Sequence, residues 1–159
     1  MTTSNEELIE QFYGAFAQRD GAGMAACYAA DVHFSDPVFV DLRGPEAGAM
    51  WRMLTERGTD LRVELLERSA DGDRGTAHWR AHYTFTQTGR PVVNDVRASL
   101  RFGGDGLVTD HVDDFDFHRW ARQALGPSGL LLGWTPLLRS AVRRRARAGL
   151  DEFMARDGR

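Results

Sequence analysis

The chain has 159 residues, with 20 basic against 23 acidic side chains and a formal net charge of -3, a balance that gives no pull towards nucleic acid or an anionic membrane. Its one cysteine, Cys27, excludes an intrachain disulfide and argues against a cysteine-based metal centre. All the basic residues are arginine, which excludes a lysine Schiff base and a P-loop lysine.

No apolar run approaches a membrane span. The start, Met-Thr-Thr-Ser-Asn-Glu-Glu, has neither the basic nor the apolar region of a secretory signal. The expectation is a cytoplasmic protein folded as a single domain over residues 1–159. Ser4-Asn5-Glu6-Glu7 reads as a capping box, and Leu8, Ile9, Phe12 and Phe16 follow at helical spacing until Asp20-Gly21. A short second helix fits Met24–Ala29, and Val32, Phe34 and Asp36 alternate in a brief strand that Pro37 interrupts. Gly44-Pro45-Glu46 opens a third helix, with Ala47, Met50, Trp51 and Leu54 as its apolar stripe.

The period then changes to two. Leu61, Val63 and Leu65 alternate with polar residues, as do Ala77, Trp79, Ala81, Tyr83 and Phe85. Gln87–Arg90 is a hairpin connection, Val92–Phe102 returns, Gly103–Gly106 turns again, and a last strand covers 107–117. A helical piece over Arg119–Leu125, a breaker at Gly126–Gly129 and a final helix after Thr135-Pro136 complete the chain. That helix repeats Leu138, Val142, Ala146, Leu150 and Met154 on one face. Helices followed by an antiparallel meander specify an α+β fold, a curved sheet with helices on one face.

The segment Leu107–His118 says most about function. In an extended chain alternate side chains share a face, which groups His111, Asp113, Phe115 and Phe117 inward and Val112, Asp114, Asp116 and His118 outward. An aspartate and a histidine on an inward face need partners, solvent or a function. Asp113 is either half of a buried ion pair with an arginine of a neighbouring strand or an acid–base group. His111 is either half exposed beside the glycine-rich turn or a proton shuttle oriented by Asp113. Asp36 is either an Asx-turn residue before Pro37 or a second pocket acid. Asn94 faces inward with Val96 and Ala98, where it either donates to a developing oxyanion or satisfies backbone.

His78, Arg80 and His82 form an outward polar stripe. Spread along one strand at ~3.3 Å per residue, they do not converge as metal ligands must. Arg143-Arg144-Arg145 and Arg147 read as a solvated helix or a subunit contact, since no aromatic stacking platform accompanies them.

Asp31-Val-His-Phe-Ser-Asp36-Pro37, the Gly44-Pro45 helix and four strands ending in Asp113-Asp-Phe-Asp116, behind two N-terminal helices, resemble the nuclear-transport-factor-2-like superfamily. That group includes ketosteroid isomerase, limonene epoxide hydrolase and small polyketide cyclases. The resemblance covers about residues 5–120, most of a typical domain, and leaves 121–159 as a C-terminal helical extension. It implies a cone: a curved antiparallel or mixed sheet wrapped around the N-terminal helices, with a deep apolar pocket, in a homodimer. It puts Asp36 at the position of the isomerase's general base. Phe12, next to Tyr13, falls at its oxyanion-hole tyrosine and Ala98 at its second donor, so both donors are missing. Asp113 matches one carboxylate of the epoxide hydrolase, whose Arg-x-Asp pair falls near Trp79 and Ala81. In the polyketide cyclases an acidic pocket residue serves as acid and base, a role that Asp113 with His111 fits.

The expected function is a cofactor-free, metal-free enzyme acting on a small hydrophobic substrate by general acid–base chemistry: aldol-type cyclisation, isomerisation or hydration. Asp113 is the base or acid, His111 assists, Asp36 is a second titrating group and Asn94 a polar anchor. Phe12, Phe16, Phe34, Met53, Trp79, Tyr83 and Phe115 shape an apolar cavity. The expected partners are that small molecule and a second copy of the chain, met across the His78/Arg80/His82 face. The alternative is a non-catalytic carrier in which Asp113 only orients a ligand.

Overall fold

The first helix starts where its capping box places it. In the computed structural model, which describes residues 4–132 and 135–157, the Ser4 hydroxyl accepts from the Glu7 N–H at 3.1 Å. The Glu7 carboxylate accepts in turn from the Ser4 N–H at 3.4 Å. Residues 1–3, part of the N-terminal stretch that lacks the marks of a signal, lie outside the described residues. Helix α1 (Asn5–Ala17) buries Leu8, Ile9, Phe12, Tyr13 and Phe16.

The helix expected over Met24–Ala29 is instead a five-residue α2 (Gly21–Ala25), capped by the Asp20 carboxylate on the Gly23 N–H. Tyr28 opens strand β1 (Tyr28–Ser35), where it pairs with Val108. The alanine-rich segment favours helix locally, and sheet pairing overrides that preference. Gly21 permits a close approach. A Cβ there would come within 2.6 Å of the Arg52 backbone, so α2 lies on helix α3 (Pro45–Arg57) over this glycine. Between them β2 (Leu42–Arg43) pairs with β1, and Gly44, at φ 57°, turns the chain into Pro45.

The meander follows as β3 (Arg62–Asp71), β4 (Arg74–Phe85), β5 (Arg90–Phe102) and β6 (Val108–Asp114). Because β6 also runs parallel to β1, one mixed six-stranded sheet results, in the order β2-β1-β6-β5-β4-β3. Register shifts at Leu65/Glu67 and at Arg101/Phe102 bend it. The curved, unclosed sheet packs its inner face on α1 and α3, the α+β arrangement expected.

Two expectations beyond the meander are corrected. The strand expected over 107–117 ends at Asp114. The Asp116 carboxylate accepts from the Arg119 N–H at 3.0 Å and caps helix α4 (Phe117–Leu125). Phe117 is therefore buried beside Trp120 in a helix, not on the strand face with His111; the side-chain cap outcompetes the alternation. The expected breaker at Gly126–Gly129 breaks only at Gly126, whose φ of 69° ends α4. Pro127 then opens a short helix, α5 (Pro127–Leu132).

Helix α6 (Pro136–Asp157) is the expected last helix, and the Thr135 hydroxyl accepts from the Leu138 N–H at 3.3 Å. Its apolar stripe meets protein at both ends. Leu138 and Val142 pack against the buried cluster that Val92 forms with Phe117 and Trp120 of α4, and Leu150 is fully buried in the main core. No helix among the described residues is long and apolar enough to cross a membrane.

Candidate active site

Strand β6 delivers two polar side chains to the inner face of the sheet. His111 stands between Leu100 and Phe34 in register, Asp113 opposite Ala98. His111 is 0% exposed and Asp113 3%. Residues two apart on a strand share a face, and these two are bonded: His111 Nε2 lies 2.8 Å from Asp113 Oδ1. The half-exposed reading of His111 is excluded, and it is this imidazole, not an arginine, that pairs with Asp113.

The other imidazole nitrogen, Nδ1, is 2.8 Å from the Tyr28 hydroxyl, which accepts from the Trp51 indole N–H at 2.7 Å. An indole N–H can only donate. In the tautomer protonated on Nε2, the Tyr28 O–H donates to Nδ1 and His111 donates to Asp113. In that tautomer the donors run one way, from Trp51 through Tyr28 and His111 to the Asp113 carboxyl group. Such a chain fixes the tautomer and holds the carboxylate in place.

Aromatic rings seal this chain. Phe12, Phe34, Tyr28 and Trp51 surround the imidazole at centroid distances of 5.5, 5.0, 6.0 and 6.2 Å. Phe16 and Trp79 extend the cluster at 5.2 Å from each other. Thus Phe12, Phe16, Phe34, Met53 and Trp79, expected as cavity lining, are all buried in one core with the acid. Tyr83 and Phe115 lie where that core meets α4, and the Tyr83 hydroxyl accepts from the Trp120 indole at 2.8 Å. Asn94 is half-buried on the inner face of β5, opposite Ala81.

Two buried polar atoms in this core have no partner among the described residues, the Tyr13 hydroxyl and the Trp79 indole nitrogen. Their rings are 5.9 Å apart. An unmet buried donor costs about 1–3 kcal/mol, and each one calls for an explanation such as a bound molecule. Burial holds the Tyr13 phenol well above its ordinary pKa, and the charge of Asp113 raises it further. Burial likewise raises Tyr28, against a hydrogen bond from Trp51 that lowers it, and Asp113 adds to the rise. Both phenols keep their protons at neutral pH, close to a carboxylate.

Asp36 lies in the loop after β1. Its Oδ1 accepts from the N–H groups of Val38 and Phe39 at 2.7 and 2.6 Å, an Asx turn. Burial nevertheless lifts its pKa from 3.8 to about 7; the Asp113 charge adds to the rise, and the two N–H groups and Arg143 oppose it. The turn residue and the titrating acid are one group. Asp36 also adds to the rise of Tyr83, which burial pushes up to about 12.

Three members of this cluster escape a reading of the sequence: Tyr13, Tyr28 and Trp51. Local propensity puts Tyr28 in a helix. Trp51 falls in an apolar stripe, although its indole carries a donor that burial obliges to find a partner. The outward stripe is committed to carboxylate partners. His78 lies 2.6 Å and Arg80 3.1 Å from Asp95, and His82 3.1 Å from Glu64. On that outer face a hollow of about 660 Å³ lies between Leu66, His78, Arg97 and Ser99.

The profile of the SnoaL-like domain matches residues 9–111. No curated protein matches the chain. Among solved structures, an NTF2-like protein of unknown function from Burkholderia pseudomallei is 24% identical, with a TM-score of 0.66 over 76% of this chain and 98% of that one. A Catenulispora acidiphila protein with a ketosteroid isomerase-like fold, in complex with trimethylamine, is 18% identical, with a TM-score of 0.67 over 84% and 100%. An LEH-like epoxide hydrolase of M. tuberculosis is 22% identical, with a TM-score of 0.64 over 86% and 96%. At these identities the likeness is one of fold.

Proposed function

This chain belongs to the SnoaL-like domain family, and we propose that it is a cofactor-free acid–base enzyme for a small hydrophobic substrate, with Asp113 as its proton-transfer group. The observation that carries the reading is the buried hydrogen-bonded chain linking Trp51, Tyr28, His111 and Asp113, in a core where the Tyr13 O–H and Trp79 N–H still lack acceptors among the described residues. A structural ion pair needs neither a fixed tautomer nor spare donors beside it.

In this reading His111 Nε2–H holds Asp113 Oδ1, and the second carboxylate oxygen takes a proton from the substrate or, in an epoxide hydration, from the attacking water. Oxygen charge that develops on the substrate is met by Tyr13 and Trp79, in water-poor surroundings where such hydrogen bonds count most. Both nitrogens of His111 are engaged, so it is a positioning residue that acts through Asp113. Asp36, poised near neutrality, returns the proton. The reaction classes that fit are aldol-type cyclisation, isomerisation and hydration of an epoxide.

The test is incubation with β-polyketide esters, β,γ-unsaturated ketones and aliphatic epoxides, with product followed by mass spectrometry. Conversion of one class is expected. Saturable binding without product supports the second reading, a carrier.

We propose further that the protein is a cytoplasmic homodimer, joined across the outer face of the sheet. Leu66, Val93 and Val112 stand exposed on that face at 38%, 39% and 47%.

A further inference from the structure

An open recess of about 210 Å³ lies at the seam between the loop before β2 and helix α6. Val38, Phe39, Val40 and Leu42 form one wall, and Arg143, Arg144 and Arg147 of α6, the last of them four and three positions on from the other two, form the other. Among the described residues no carboxylate lines it.

The three arginines differ in their commitments. Arg143 donates from Nε to the Pro37 carbonyl at 3.0 Å. Arg147 is paired with Glu46 and with Asp151. Arg144 has no ion pair among the described residues, is exposed, and borders an apolar wall in which Val40 is 46% exposed. A planar guanidinium with free donors beside an uncovered apolar surface complements a molecule that is apolar at one end and anionic at the other.

We propose that this recess binds a small apolar carboxylate, its ring or short chain against Val38, Phe39 and Val40 and its carboxylate on Arg144. The volume falls below the ~300–1,000 Å³ of sites for drug-sized ligands, which limits the occupant to a single ring or a short chain. The recess adjoins the Asp36 turn through Val38, Phe39 and Arg143 and is not lined by Asp113, so the proposal holds whether or not Asp113 is catalytic.

The experiment is titration of the ¹⁵N-labelled protein with benzoate and with benzamide, its neutral counterpart of the same shape, followed by amide chemical shifts. Benzoate is expected to shift the amides of Val40, Leu42 and Arg144 saturably and to bind at least tenfold more tightly than benzamide. Arg144→Gln is expected to reduce benzoate to the affinity of benzamide, and Asp113→Asn to leave it unchanged. Equal affinity for the two probes, shifts confined to other residues, or an Arg144→Gln variant that binds as wild type does would overturn the proposal. So would a changed benzoate affinity in Asp113→Asn, in either direction, which would place the anion in the interior.

Discussion

His111 and Asp113 share a 2.8 Å hydrogen bond inside the core, two positions apart on one strand, and neither is more than 3% exposed. The bond uses Nε2, and Nδ1 is held by Tyr28, whose hydroxyl also serves Trp51. Tyr28→Phe therefore removes one atom that satisfies two others. The expected cost is roughly 2–4 kcal/mol, from two buried polar groups left unpaired. Urea unfolding checks it: the midpoint falls while the slope stays unchanged. Stability within about 0.5 kcal/mol of wild type, the spread of an ordinary surface substitution, would mean that the chain of donors is not energetically connected.

Asp36 makes stability depend on pH in a defined sense. Its pKa is 3.8 ordinarily and about 7 in the fold. Between these values the unfolded chain has lost a proton that the folded chain keeps, so stability falls as pH rises from about 4 to about 7 and then levels off. The full effect is at most on the order of 4 kcal/mol. Asp36→Asn retains an oxygen for the Val38 and Phe39 N–H groups and carries no charge. Melting temperatures at pH 4, 6 and 8 are expected to match wild type at pH 4 and to exceed it at pH 8. An unchanged difference across that range contradicts the assignment.

Gly129 holds α5 against α4. A Cβ there would lie 1.9 Å from the Ala121 carbonyl oxygen, a backbone atom that cannot swing aside. Gly129→Ala is expected to cost about 1–3 kcal/mol, as overpacking does, and to speed proteolytic cleavage around α5. Thermal melting together with limited proteolysis checks both effects. A variant with the wild-type melting temperature and cleavage pattern would show that the two helices are not in register there.

The outer face of the sheet bears on assembly. If Leu66, Val93 and Val112 meet a second copy, sedimentation at micromolar concentration gives twice the 17.8 kDa of the chain, and Val112→Arg gives the monomer. A monomeric wild type removes the homodimer.

Signals between near neighbours are legible in the sequence. The Ser4/Glu7 box marks the start of α1, and the period of two places His111 and Asp113 together on the inner face. What escapes depends on distant parts of the chain. Tyr28 lies in an alanine-rich stretch that favours helix, and its partner His111 is 83 positions away, brought near by the parallel pairing of β1 and β6. Phe117 continues the alternation of β6, yet the Asp116 cap captures it for α4. For Asp36 turn and acid stand as alternatives in the sequence because local chemistry describes the turn alone; the burial that moves its pKa comes from packing. Tyr13 stands in the sequence only as a neighbour of Phe12, and nothing local shows that its hydroxyl ends up without a partner.

Whether the Asp113 carboxylate moves the proton is decided by the turnover of Asp113→Asn on whichever substrate class the wild type converts, taken beside substrate affinity and melting temperature. The kcat is expected to fall by at least about 100-fold, the lower range for loss of a general acid–base group. Affinity and melting temperature are expected to stay close to wild type, because Asn keeps an oxygen for the His111 N–H. Turnover equal to that of wild type would contradict a catalytic Asp113.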